Sequence, residues 1–408
     1  MKKLFIAFAV AAFCFAACQE KPEEIKSFSA NIVLTSAEAG VPLPAEFSVK
    51  VTSQEGTVVF EQTVAAEGAK FIVENILSGI YNVSVFGVNN FGGITYNFSG
   101  SLNSVAITQE GQTIEVTLAA SKESALLFKE IFYVGGSGRF PEGSSQPYRD
   151  DNFFEIFNNS SVDAYLDGLC IANVAPTVAS EVLTWELDGG RNAKDYVYCQ
   201  AIWQFPGNGK DFVLKPGKSV VLASIPIDHT KIISGTVDLS SADFEFFVEN
   251  QNIYADNPSI PNMVLKFGKF GNGADRYLPT VMGPAMILFK PEGEIDNSTF
   301  VSPVGKDDQC KEIPISSVID GVEAVQKADM VEFKRLPAAI DGGAVYMANS
   351  VKYVHPLIGM EMTSWDHTGI SFSRKYKNGT DITGGLVDTN NSTEDFVAND
   401  TPVIRRGL

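Results

Sequence analysis

Between Ser27 and Leu118 the chain alternates apolar and polar residues in short runs: FSANIVLTS, AEFSVKVTS, TVVFEQTV, KFIVENI, IYNVSVFGV, ITYNFSGSL and QTIEVTLAA, separated by Gly, Pro, Asn or Ser. A period of two, interrupted this often, excludes amphipathic helices and folds as a small β-sandwich of about seven strands. In Tyr81-Asn82-Val83-Ser84-Val85 the alternation sends Tyr81, Val83 and Val85 to the core face and turns Asn82 and Ser84 to the other. This region fills only part of 408 residues, so at least one further domain follows.

The first residues, MKKLFIAFAVAAFCFAAC, place Lys2 and Lys3 before an apolar stretch, Leu4 to Ala17, too short to span a bilayer comfortably. Residues 1–17 read as a signal peptide. Phe15-Ala16-Ala17-Cys18 resembles a bacterial lipobox, with Phe15 where Leu is usual. That resemblance implies acylation of Cys18 and a stable anchor in outer-membrane lipid. The tether, residues 18–26, contains Glu20, Glu23 and Glu24 and resembles the export signal of Bacteroidota surface lipoproteins, which implies display on the cell surface.

FIVENILSGIYNVSVFG resembles the core of transthyretin-like or carboxypeptidase-regulatory sandwiches, so 27–121 is assigned to such a domain. A polar AASKE marks the boundary near Ser121. The text then restarts with LLFKEIF, DDNFFEIFNNSSVDAYLDGLCIA and LKPGKSVVLA. These segments resemble a lamin-tail domain, an immunoglobulin-like sandwich, through Glu130, Phe154 to Asn158, Asp167-Gly168 and Leu214 to Gly217. Gly369 to Arg374 and Asp388 to Phe396 resemble its closing segments. Independently, Phe153 and Phe157 alternate with Phe154 and Ile156 as in a strand buried on both faces, and Pro216-Gly217 reads as a turn. A hairpin is expected around Pro291-Glu292-Gly293.

The fold expected is therefore all-β, with a C-terminal sandwich over 122–408 carrying insertions at about 228–279 and 306–353. Long insertions on a sandwich often carry function. The first holds basic and aromatic residues in an acidic protein, making Tyr254, Phe267, Phe270, Arg276 and Tyr277 the candidate contact residues, with packing of an enlarged sandwich edge as the alternative.

Forty-nine acidic against thirty-one basic residues give a formal charge of −18, which disfavours nucleic acid as a partner. His229, His355 and His367 form no HExxH or HxH pattern, there is no GxSxG, and the glycine-rich loop Gly135 to Arg139 lacks the spacing and Lys of a phosphate cradle. No cofactor is implied. Calcium is the ion for which oxygen ligands exist, at Asp150, Asp151, Asp388 and Asp395, although Asx-rich turns explain the same residues without a metal. Cys170 and Cys199 lie in strand-like text and can bridge, closing a loop of about 30 residues, or can stay free with Cys310.

The two-part build also resembles Bacteroidota lipoproteins of unknown function encoded beside TonB-dependent transporters. That resemblance implies a non-catalytic surface lipoprotein that captures a ligand, itself unspecified by the sequence, or docks onto such a transporter. Two other classes fit the same text: a surface glycan or peptide hydrolase with carboxylates in the insertions, and an adhesion or envelope-structural protein.

Overall fold

The computed structural model describes residues 26–36, 41–65, 67–91, 94–122, 124–139, 145–179, 195–249, 252–268, 276–302, 309–347, 351–354, 361–364 and 367–408. The chain is almost entirely β, arranged as two sandwich-like units. The lipidation and export residues Cys18, Glu20, Glu23 and Glu24 lie outside the described residues, as do Phe270, His355, Trp185 and Trp365.

Seven strands form the first unit: β1 (Ser27–Ser36), β2 (Glu46–Ser53), β3 (Val58–Ala65), β4 (Lys70–Leu77), β5 (Gly79–Phe91), β6 (Ile94–Ile107) and β7 (Gln112–Lys122). Their order is β3-β2-β5-β6-β7-β1-β4, with β1 parallel to β7 and antiparallel to β4. The alternation does the folding. Phe47, Val49 and Val51 on β2, Tyr81, Val83 and Val85 on β5 and Ile114, Val116 and Leu118 on β7 enclose one core, as the period of two requires. Asn82 and Ser84 face away from it and are half-buried. The Tyr81 hydroxyl donates to the carbonyl of Leu77 at 2.7 Å, which lets a phenol sit at the core's edge.

In the second unit β8 (Leu126–Phe132) and the Phe153–Asn158 strand are antiparallel and central in a six-stranded sheet. Every residue of both is buried, as the alternation of Phe153 and Phe157 with Phe154 and Ile156 predicts for the second strand, and with them Lys129, Glu130 and Glu155. The turn Lys215 to Lys218, with Gly217 at φ +68°, feeds the neighbouring strand Ser219–Ala223. The facing sheet runs Val264–Phe267, Tyr196–Gln204, Cys170–Val174, Ala285–Phe289, Val318–Val325 and Val345–Tyr346, with Lys311–Pro314 also paired to Tyr196–Gln204.

Three expectations are corrected. The segments read as insertions are not loops throughout: they supply Phe244–Glu245 to one sheet and Val264–Phe267, Lys311–Pro314, Val318–Val325 and Val345–Tyr346 to the other, while most of their described residues lie outside strands. No hairpin forms around Pro291-Glu292-Gly293: Ala285–Phe289 pairs with Cys170–Val174 and Val318–Val325, while the acidic residues after the turn leave the sheet. Cys170, Cys199 and Cys310 are buried and none of them is in a disulfide. Cys170 stands opposite Gln204 whereas Cys199 stands opposite Val174. That separates the two by about 13 Å along the ladder, beyond the reach of a disulfide. Burial pushes the Cys170 thiol up to about 12 and Cys199 well above its ordinary range, so neither is a thiolate at neutral pH.

Candidate functional site in the crevice between the two sandwiches

The outward face of β2, β5 and β6 carries a platform of small polar residues. Lys50 stands opposite Ser84, and Ser84 opposite Ser101, in one row across the three strands; Thr52 stands opposite Asn82 in the next. The second unit lies over this platform and ties to it through its edge. Lys50 Nζ meets Glu394 at 3.0 Å, Ser84 Oγ donates to the same carboxylate at 3.2 Å, and Ser101 Oγ donates to the carbonyl of Gly342.

Between platform and overlying unit remains a cavity of about 230 Å³, lined among others by Asn82, Asn103, Val331, Tyr346, Asn391 and Thr393. It is continued past Asn82 and Asn103 by about 430 Å³ and past Lys50 and Ser84 by about 170 Å³. Of the platform strands, β2 and β5 are paired on both sides, whereas β6 pairs with β7 over Tyr96 to Ser99 and with β5 along the crevice.

The overlying wall is held by a buried polar network. Asn391 caps the short helix Ser392–Asp395, its side-chain oxygen accepting from the Thr393 amide at 3.1 Å. The fully buried Asp341 carboxylate accepts from the Ser392 amide at 2.8 Å, the Gly343 amide at 3.0 Å and the Glu323 amide at 3.0 Å. A Cβ on Gly343 would stand 2.0 Å from Asn391 Oδ1, so only glycine lets these two segments meet. Behind them Arg374 is enclosed by Asp395 at 2.8 Å, Asp320 at 2.9 Å and Asp388 at 3.4 Å, and Arg335 pairs with Glu323 at 2.9 Å. Burial, against the pull of Arg374, holds the Asp320 and Asp395 carboxyls above the usual carboxylate range.

The calcium reading is corrected by these contacts. Asp388 and Asp395 face the Arg374 guanidinium, which occupies the position a cation would need, and Asp150 pairs with Arg276 at 2.7 Å. Asp151 is buried elsewhere, accepts from the Val237 amide at 3.3 Å, and is pushed up to about 7 by burial. Among the described residues no group of three or more His, Cys, Asp or Glu is arranged to hold a metal ion.

The proposed contact residues of the first insertion are corrected as well. Tyr277 is 2% exposed, packs its ring 4.7 Å from Phe246 and 5.3 Å from Trp203, and donates its hydroxyl to Asn173. Phe267 is buried in the second core with Lys311 over its ring. Tyr254 donates to the Ser224 carbonyl at 3.1 Å, and the charge of Arg276 is spent on Asp150. Phe267 and Tyr277 thus pack the enlarged sheet, Tyr254 and Arg276 are half-buried and bonded within the protein, and Phe270 lies outside the described residues. His229 is likewise structural: its Nε2 donates to the Ile225 carbonyl at 2.9 Å, its Nδ1 lies 2.6 Å from the Tyr148 hydroxyl, and burial lowers its pKa.

No sequence reading pointed to the crevice itself. The signal on offer was the outward face of the first sandwich, where Asn82 and Ser84 stand in place of the Lys and Glu usual on a solvated strand. The opposing residues Gly342, Tyr346, Asn391, Thr393 and Glu394 lie far along the chain and have no local mark of their partnership.

A family model described as protein of unknown function, DUF4876, matches residues 215–403. The chain is similar to a DUF4876 family protein from Bacteroides thetaiotaomicron VPI-5482, with 27% identity, a TM-score of 0.59, and coverage of 93% of this chain and 97% of that one. A putative adhesin from Bacteroides ovatus aligns over 53% of this chain and 78% of its own at 10% identity, but with a TM-score of 0.18 it has no bearing on function. No curated protein matches the chain.

Proposed function

We propose that this protein is a non-catalytic, lipid-anchored surface protein that captures a ligand between its two sandwiches and serves as an accessory of a TonB-dependent transporter. The observation that carries the capture reading is the polar crevice, built from both units and backed by a rigid buried network. Such convergent clefts between units are where ligands are commonly held. The charged side chains that line its central cavity, Lys50 and Glu394, neutralise one another, which supports binding rather than acid–base chemistry. The anchor and outer-membrane location rest on Cys18 and the acidic tether.

Affinity purification from native membranes tests the accessory role: a transporter barrel should be recovered with the protein, and recovery of the protein alone in gentle detergent would refute it. Cys18→Ala should release the protein from membranes or stall its processing. Mature protein that still partitions with membranes would sink the anchor. Replacing Glu20, Glu23 and Glu24 should lower protease accessibility on intact cells without detachment.

A further inference from the structure

Resting on the capture reading, we infer that the crevice takes a neutral, polyhydroxylated ligand, a short oligosaccharide. The first ground is charge. Lys50 and Glu394 are spent on each other at the centre of a protein with a formal charge of −18, so an anion meets repulsion and a cation finds the central carboxylate already neutralised.

The second ground is the hydrogen-bonding inventory. Asn82 Oδ1 accepts from the Ser104 amide at 3.0 Å and Asn391 Oδ1 accepts from the Thr393 amide at 3.1 Å. With both carbonyl ends tied to backbone, each side chain keeps its NH₂ for a ligand, and Asn103 adds a third amide to the lining. Fixed donors of this kind suit hydroxyl and ring oxygens, while the half-buried Tyr346 ring and Val331 supply an apolar surface for the C–H face of a sugar.

The third ground separates sugars from peptides. An extended peptide gains most of its affinity by adding to a free strand edge. Here β2 and β5 are each paired on both sides, so across these two strands the floor offers side chains only.

The test uses the folded chain without its signal peptide on an array of neutral di- to hexasaccharides beside uncharged peptides, followed by calorimetry on whatever binds. Asn82→Asp keeps the acceptor for Ser104 and removes the NH₂, so it should weaken oligosaccharide binding about tenfold without altering thermal unfolding; Asn103→Ala should act similarly. Ser84→Trp should fill the crevice and abolish binding. Oligosaccharide binding lost in these variants supports the inference. If only peptides bind, and bind less well in the variants, the sugar class is wrong and capture stands. Binding that Ser84→Trp leaves untouched overturns capture itself, and an array on which no oligosaccharide binds overturns the ligand class.

Discussion

Arg374 is 3% exposed, yet its guanidinium is fully occupied: Nε donates to the Phe128 carbonyl at 3.0 Å, Nη1 to Val387 and Asp395, and Nη2 to both oxygens of Asp320. One cation thereby joins β8, the end of the Val318–Val325 strand and the segment that reaches the crevice. Removing it leaves three carboxylates facing one another out of water. Arg374→Met should therefore cost about 3–5 kcal/mol of unfolding free energy, read by denaturant titration, because breaking a buried pair strands its partners. Arg374→Lys should recover only part of this, since an ammonium cannot fork between Asp320 and Asp395. A variant as stable as the parent would show that the carboxylates take up protons and manage without the arginine.

The segment Thr401–Arg406 behaves as an element although it has no regular structure. It crosses β8 and the Phe153–Asn158 strand where Glu130 and Glu155 stand directly opposite each other, both fully buried. Glu130 accepts from the Val403 amide at 3.1 Å and from Arg406 at 2.9 Å, and Glu155 accepts from the Arg405 amide at 3.0 Å and from Lys129 at 2.7 Å. Deleting residues 402–408 should cost several kcal/mol, on the order of 3–5, by leaving Glu130 without its cation. Glu130→Gln in the deletion background should restore part of the loss, a double-mutant test of that cause. Elements also show what the sequence made legible. The alternation around Tyr81 and Phe154 gave the right faces because apolar side chains dominate the burial there. The strand VIDGVEAV went unread because Asp320 and Glu323 look like loop residues until Arg374 and Arg335, contributed from elsewhere, neutralise them. Strands of two residues, such as Phe244–Glu245 and Val345–Tyr346, have no period to read. The crevice was legible by half: its floor could be read as a face of the first sandwich, whereas its roof was set by long-range pairing alone.

At the scale of the whole molecule the buried carboxyls make stability depend on pH in an uncommon direction. Burial raises Asp151 from 3.8 to about 7 and Glu245, helped by its neighbour Asp256, from 4.5 to about 8, and Asp320 and Asp395 move the same way. Between the unfolded and folded values the native chain holds protons that the unfolded chain has lost. Stability from these groups is thus complete below about pH 4 and declines as pH rises through 7 to 8. His229 opposes this, since burial lowers it from 6.5 and its contribution grows with pH, but only up to about 6.5. The window from pH 6.5 to 8 therefore belongs to the carboxyls, and Tm should fall across it at constant ionic strength. Asp151→Asn and Glu245→Gln should each flatten that slope, because an amide cannot lose the proton that folding retains. A Tm that rises from pH 6.5 to 8, or a slope that both substitutions leave unchanged, would mean that these carboxyls are ionised in the native protein and that their burial is offset by other contacts.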